Sequence, residues 1–272
     1  MRKLYKDILK SVEKEHTQNI NRKRNDRVLI IDGLNTFIRC WSSIPTMNDD
    51  GDHVGGVTGV LKSIGYAIRN IQPTRVIVVF DGKGGSQRRK KRFSGYKSQR
   101  ESNKLRVNRQ YADLMNDEDE RESMKRQYVW LNEILDYLPI QTMIYDGVEA
   151  YDIMAYISTQ LLNENEQAVV MSTDKDFLQL VDDTTIVWSP TKKKLYNTKL
   201  VKEEFGIESK NLLLYRVLDG DKSDNITGIR GAGLKTVIKY FPEIAGDKIF
   251  TIKDLLDKYG SGETKYKIHE TV

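Results

Sequence analysis

Short β-branched runs recur along the first two-thirds of this chain, and several of them close on carboxylates. VLII (28–31) ends at Asp32-Gly33, and VIVVF (76–80) ends at Asp81-Gly82. TMIY (142–145) runs through Asp146-Gly147 to Glu149 and Asp152, while AVVMS (168–172) leads to Asp174 and Asp176. Apolar runs of this length, bounded by turn residues, predict strands buried in a core. TIVW (185–188) predicts a further strand and LYNT (195–198) an edge. Helical periodicity is expected over 57–71, over about 105–137 (apolar at Met124, Tyr128, Leu131, Ile134, Leu135 and Leu138) and over 149–163. From about 208 the pattern turns helical and glycine-punctuated, with no strand expected. Strands alternating with helices predict an α/β fold with a mainly parallel sheet and right-handed crossovers. Residues 1–27 read as an N-terminal extension, a short docked helix on Tyr5, Ile8, Leu9 and Val12 followed by a linker.

Composition narrows the class. Of 272 residues, 39% are hydrophobic and 31% charged, which suits a strongly solvated folded protein. No window approaches the roughly 18 apolar residues of a membrane span, and the charged N-terminus has no apolar segment of the kind a secretory signal carries. Cys40 stands alone, which excludes a disulfide framework and a cysteine zinc site. A reducing, cytoplasmic setting is therefore expected. His16, His53 and His269 are scattered and give no metal-ligand spacing. The net charge is +5, but its distribution matters more. Between Lys83 and Arg109 eleven basic residues, among them Arg88 and Arg89, face one acid, Glu101. Such a block suits a phosphate backbone, or else is a solvated loop.

In parallel α/β sheets the functional crevice lies beyond the carboxyl ends of the strands, which is where these acids fall. Asp32, Asp81, Glu149 with Asp152, and Asp174 with Asp176 follow four expected strands. Asp221 and Asp224 add a fifth group in GDKSDN. Each acid alone could be a helix cap or turn former. Gathered at one edge they would repel and raise one another's pKa unless cations neutralised them. An oxygen-only donor set favours Mg²⁺ or Mn²⁺, and two such ions could drive phosphodiester hydrolysis. The run Gly228-Ile-Arg-Gly231-Ala-Gly233-Leu-Lys235-Thr236 opens a helix and offers backbone N–H groups, a charge and a hydroxyl to a phosphate. It is not a Walker A loop. A plain helix turn is the alternative; beside GDKSDN a duplex grip reads better.

Together these segments resemble the 5′ nuclease (flap endonuclease) superfamily, which includes the 5′-exonuclease domain of bacterial DNA polymerase I and phage 5′ nucleases with RNase H activity. The resemblance runs through LIIDGLNTFIR, VVFDG, YKSQR, GVEAYD, STDKDF and GDKSDNITGIRGAGLKT, about residues 28–240. It implies a PIN-like catalytic domain at 28–205, with a helical arch at about 83–125. A helix–three-turn–helix region at 206–272 would bind duplex DNA and a K⁺ ion. Asp32, Asp81 and Glu149 match the family's first metal site, and Asp174, Asp176, Asp221 and Asp224 its second. Asp152 matches the last acid of the family's Glu-Ala-Asp-Asp segment. Arg39, Lys97 and Arg100 match residues at the scissile phosphate, and Tyr96 matches one that can stack on a base.

Two departures stand out: Tyr151 replaces an acid, and Thr227 replaces a proline. Tyr151 leaves open a catalytically impaired, structure-specific DNA-binding protein. A PIN-type endoribonuclease is the third reading, although it has no obvious use for the glycine hairpin. The favoured reading is a metal-dependent nuclease acting on 5′ flaps and on RNA primers in RNA–DNA hybrids, in replication and repair. It is expected to be monomeric, cytoplasmic in a bacterium or phage-infected host, with a single-strand-binding protein or sliding clamp as candidate partner.

Overall fold

A computed structural model describes residues 26–101, 117–163 and 165–260. Five parallel strands and one antiparallel strand form the central sheet: β1 (Arg27–Asp32), β2 (Arg75–Asp81), β3 (Gln141–Tyr145), β4 (Gln167–Met171), β5 (Thr185–Ser189) and β6 (Lys194–Tyr196). Their spatial order is β3-β2-β1-β4-β5-β6. The order reverses between β1 and β4, and at such a switch point the flanking connections part and leave a crevice.

Alternation along each strand divides the core in two. Val28, Ile30, Ile77, Val79, Ala168, Val170 and Val187 face one side. Leu29, Ile31, Val78, Phe80, Val169, Met171, Ile186 and Trp188 face the other. The second side is covered by α1 (Gly33–Ser43), α2 (Gly55–Ile71) and α4 (Asp117–Asp136), which contribute Phe37, Trp41, Val60, Ile64, Leu131 and Leu135. The short α3 (Gln87–Arg92) follows β2 and buries none of its residues. The first side is covered by α5 (Ala150–Tyr156) and by α6 (Thr198–Phe205), α7 (Ser209–Asp219), α8 (Leu234–Tyr240) and α9 (Ile252–Tyr259).

The strands match the expected runs to within a residue or two, and the expected 57–71 helix is α2 with two glycines added at its start. Several elements were not expected, α6 among them. Helix α1 begins directly after β1 because Asp32 accepts the Asn35 amide at 3.0 Å as an N-cap, converting an apparent Asp-Gly turn into a helix start. Helix α3 forms within the basic block. In the region where no strand was expected, β7 (Gly220–Asp221) and β8 (Ile226–Thr227) pair antiparallel around the GDKSDN turn. The expected 149–163 helix is α5 followed by a π turn at Ile157–Leu161. The docked N-terminal helix and the 102–116 part of the expected arch and helix lie outside the described residues.

Helix α2 has no side-chain cap of its own at Val54. The buried Gln127 of α4 supplies one, accepting from the Gly56 and Val57 amides at 2.8 and 3.3 Å. Its Nε2 lies 3.0 Å from Ser123 Oγ and 3.1 Å from His53 Nδ1. Gln127→Met strands two helix N–H groups in the core and is expected to lower unfolding free energy by about 2 kcal/mol in denaturant melts. A second device ties the sheet edge to α6. Glu204 accepts from Lys192, Lys194 and Tyr196. Burial alone would raise its pKa, but these donors outweigh it and hold the carboxyl down to about 2. The stability it contributes is complete above the ordinary value of 4.5 and lost as pH falls towards about 2. Glu204→Gln should therefore flatten the acid limb of melting temperature against pH in that window.

Candidate active site

Strand register assembles the first acids. Ile31 on β1 pairs with Met171 on β4, so Asp32 and Ser172 emerge side by side at the switch point. Ser172 Oγ donates to Asp32 Oδ2 at 3.0 Å, and Asp32 is 5% exposed. Burial first, and then the negative charges of Asp81 and Asp174, push its pKa up to about 6 against the lowering effect of the Asn35 and Ser172 hydrogen bonds. Asn35 Oδ1 in turn accepts from the Thr173 amide and hydroxyl at 3.2 and 2.9 Å, pinning the β4 exit to α1. Asp81, at the end of β2, is exposed and accepts the Ala150 amide at 2.7 Å, which fixes the start of α5.

Glu149, 2% exposed, is held by three side chains. Lys97 Nζ lies 2.8 Å and Arg89 Nη1 3.0 Å from its oxygens, and the Tyr96 hydroxyl donates at 3.0 Å. Arg89 also makes a bidentate pair with Asp152, both contacts 2.8 Å, which holds that carboxyl below its usual range. On the other side of the crevice Asp174 accepts the Asp176 amide at 2.9 Å and the Tyr151 hydroxyl. Tyr151 stacks on Phe177 with ring centroids 4.8 Å apart, and burial, followed by the nearby Asp174, raises its phenol pKa strongly. Asp176 and Asp221 are joined through Arg216, whose Nε and Nη2 each lie 2.8 Å from one of them. Burial, then the charge of Asp174, raises the Asp176 pKa. Burial would also raise Asp221, but the Ser223 and Asp224 hydrogen bonds and Arg216 hold it below the usual range.

The eight acids are brought to one edge: Asp32 feels the charges of Asp81 and Asp174, Asp176 those of Asp174 and Asp221, and Glu149, Asp152, Asp176 and Asp224 line one cleft. Among the described residues, however, no three His, Cys, Asp or Glu side chains stand ready around a single point. Their oxygens are turned instead to Arg89, Lys97, Arg216 and Tyr151. The donor chemistry fits a hard divalent ion, and intrachain cations stand where such ions would neutralise the charge.

The basic block is not uniformly free. Arg89 and Lys97 point inward to acids, whereas Arg88, Lys90, Lys91 and Arg92 of α3 are exposed. Tyr96, expected to offer its ring to a base, is 6% exposed with its hydroxyl on Glu149, because the arm folds down on the acids. A cleft of about 500 Å³ opens beside it, walled by Arg89, Arg92, Phe93, Tyr151, Leu180 and Ile226. Arg100 lies in the turn Ser98–Glu101. Arg39 does not meet the acids in this arrangement: its Nη2 donates to Ser63 on α2 at 3.2 Å, and its Nε is buried without a hydrogen-bond partner.

The arm is latched to the GDKSDN turn. Asn225 Nδ2 donates to Gly95 O at 2.9 Å, the Lys97 amide donates to Asp224 O at 3.0 Å, and Gln99 donates to Asn225 Oδ1 at 3.1 Å. Beyond the turn a groove is lined by Gly228 to Thr236 with Lys222 and Gln99. Gly228 is required because a Cβ would fall 2.2 Å from the Asp219 carbonyl carbon, and Gly231 because its φ is +84°. Gly233 has open space around it, and Lys235 is exposed. The residues not singled out from sequence are Asn35, Ser172 and Arg216. Arg216 carried one weak signal, a cation three and five residues ahead of Asp219 and Asp221.

Comparison with known proteins agrees with this geometry. The model of the 5′-3′ exonuclease N-terminal resolvase-like domain matches residues 27–206. A 5′-3′ exonuclease of Aquifex aeolicus is 28% identical over 239 residues, 88% of this chain and 71% of that protein. DNA polymerase I of Bacillus subtilis is 26% identical over 250 residues, 90% of this chain but 26% of the polymerase. Among solved structures, the bacteriophage T5 flap endonuclease in a complex with DNA and metal ions superposes with a TM-score of 0.69. It is 22% identical and covers 90% of this chain and 82% of that one, a likeness of fold.

The latch makes a direct prediction. Asn225 has φ 58°, so Asn225→Gly keeps the backbone relaxed while deleting the side chain. Amide exchange across 95–99, followed by mass spectrometry, is expected to speed up about tenfold, the loss of one to two hydrogen bonds.

Proposed function

This chain belongs to the 5′-3′ exonuclease family and is a nuclease of that class, and on that premise we propose that it hydrolyses phosphodiesters near the 5′ ends of flapped DNA and of RNA primers paired to DNA. The observation that carries this reading is the convergence of eight carboxylates and the Lys97 arm at the switch point of the sheet. Divalent metal dependence goes with the class. In this reading Mg²⁺ or Mn²⁺ is held in two positions, one by Asp32, Asp81 and Glu149, the other by Asp174, Asp176, Asp221 and Asp224, with Asp152 alongside. The ions supply an activated water and charge neutralisation at the phosphate when bound.

The protein's own groups do the rest. Lys97, whose Nζ lies 2.8 Å from Glu149, would turn to the scissile phosphate and neutralise charge building there. Arg100 and Arg39 are proposed to join it, and for Arg39 the unpartnered Nε is the supporting feature. Arg88 and its neighbours on α3 take the strand leading in. Tyr96 stacks on a base only after the arm lifts from Glu149, and Arg89 then exchanges carboxylates for phosphate. The groove at Gly228, Gly231, Gly233, Lys235 and Thr236 would grip the duplex through backbone N–H groups and would also be where a K⁺ ion binds. A second reading, weak or absent catalysis with intact binding, is favoured by one observation: the Tyr151 hydroxyl is committed to Asp174. In that case Tyr151→Asp raises cleavage by orders of magnitude without changing DNA affinity.

End-labelled flap and RNA–DNA substrates should be cut with Mg²⁺ and left intact with EDTA; cleavage that persists in EDTA, or none in Mg²⁺, rejects the principal reading. Asp32 sets a pH dependence. Because its carboxyl holds a proton up to about pH 6, ion binding there competes with that proton below this value. Mn²⁺ affinity measured by calorimetry is expected to be about tenfold weaker at pH 5 than at pH 7 and to level off above 6.

A further inference from the structure

Lys97 is held at both ends. Its ammonium lies 2.8 Å from Glu149 Oε1. Its backbone has φ 58°, a left-handed conformation that residues other than glycine, asparagine and aspartate rarely adopt. That backbone is fixed from outside the arm, by the GDKSDN turn. The Lys97 amide donates to Asp224 O at 3.0 Å. The Asn225 side chain brackets the lysine: its Nδ2 donates to Gly95 O at 2.9 Å and to Ser98 Oγ at 3.2 Å, and its Oδ1 accepts from Gln99 at 3.1 Å. A Cβ on Gly95 would lie 3.0 Å from Asn225 Nδ2 and 2.8 Å from the Phe93 ring, so the glycine is what lets the amide come this close. Asn225 is itself left-handed at φ 58°, which asparagine tolerates. Asn225 and Gln99 share a second position: both line the groove of Gly228 to Thr236.

We propose that Asn225 is a positioning residue that sets the distance between the groove and Lys97, so that a duplex lying in the groove presents one phosphate to the lysine and the strand is cut at that place. This role rests on the reading of the crevice as a cleavage site and of the groove as a duplex grip, and adds to it what fixes the register between the two. The two anchors of Lys97 act at different stages. Glu149 holds the ammonium while it faces the acids. Once Nζ turns to a phosphate that contact is gone, and the backbone anchor decides where the charge falls. Gln99 stands two residues after Lys97 and on the groove wall, so the path from groove to ammonium is short, and Asn225 closes it from the other side. With the Asn225 side chain removed, residues 95–99 lose three of the hydrogen bonds that tie them to the turn. A left-handed lysine persists only where its surroundings hold it; released, the ammonium reaches neighbouring phosphates as well.

The test is cleavage of a 5′-flap duplex by the full chain with Mg²⁺, the products resolved to single nucleotides. It compares the natural protein with Asn225→Gly, Asn225→Asp and Gln99→Ala, each checked by circular dichroism. Glycine suits φ 58° and deletes all three bonds, whereas aspartate keeps the acceptor for Gln99 but has no N–H for Gly95 and Ser98. Relative to the main cut, cuts at neighbouring phosphates are expected to rise about tenfold in Asn225→Gly, the loss of one to two hydrogen bonds. They should rise in Asn225→Asp and change least in Gln99→Ala. In a Lys97→Met background Asn225→Gly should add no further loss of rate, because it acts through the lysine. Acetylation of Lys97 in the metal-free chain, read by mass spectrometry, should speed up several-fold in Asn225→Gly. If Asn225→Gly does not fold, Asn225→Asp carries the comparison. A rate that falls with the cut site unmoved, or losses that simply add to those of Lys97→Met, overturns the role of Asn225 and leaves the nuclease reading standing. If the natural protein cuts nothing, the nuclease reading fails and the cutting register with it; unchanged Lys97 labelling then removes the hold of Asn225 on the lysine as well, and faster labelling retains it.

Discussion

Like charges held together in a partly buried crevice set the terms for everything around them. Carboxylates at the ends of β1, β2 and β4 and in the GDKSDN turn repel one another, and the fold brings them together because the sheet, the helices and the turn are each stabilised elsewhere. Two apolar layers, one on each face of the sheet, hold the strand ends at a fixed spacing whatever the acids do. The electrostatic strain is then relieved locally, by Arg89 and Lys97 on one side and Arg216 on the other. At Asp32, where no cation reaches, burial first and the neighbouring charges after it make a carboxyl that keeps its proton towards neutrality.

Much of this was legible in the sequence, for a physical reason. A strand buried on both faces has to be an unbroken apolar run, so its end is marked by the first polar residue, and at four strands that residue or its near neighbour is an acid. The positions of Asp32, Asp81, Glu149 and Asp174 at one edge follow from that alone once the strands are parallel. The order β3-β2-β1-β4 does not, since pairing depends on packing across the whole sheet. Helix α1 was hidden because its buried face mixes Thr36 and Cys40 with Phe37 and Trp41, which blurs the apolar stripe. The N-cap role of Asp32 and its place in the acid cluster are both real: the same carboxylate starts a helix and faces the crevice.

The partners of the acids were the illegible part. A basic block reads as a surface for an anion, and α3 keeps that character. Yet which of its cations turn inward is decided by the fold of the arm, and Lys97 does so with a left-handed φ of 58° that no local pattern announces. Arg216 is harder still, because it meets Asp176 only after the helix it sits on has packed against the sheet. Tyr151 was visible as a departure, but its destination was not: the ring finds a flat neighbour in Phe177 and the hydroxyl finds Asp174.

The C-terminal helices have a consequence for how the molecule comes apart. Ile207, Leu212, Leu218, Val237, Phe241 and Leu255 are buried in the same cluster as Val28, Ile30, Val170 and Val187 of the sheet. The sheet and the glycine-hairpin region therefore share one apolar interior, and neither has a complete interior alone. A chain severed after residue 206, where the match to the family model ends, would uncover the part of that sheet face covered by α7, α8 and α9. Unfolding of the hairpin region and of the catalytic sheet is accordingly one cooperative event. The glycine hairpin and the acid crevice are expected to lose their structure at the same temperature.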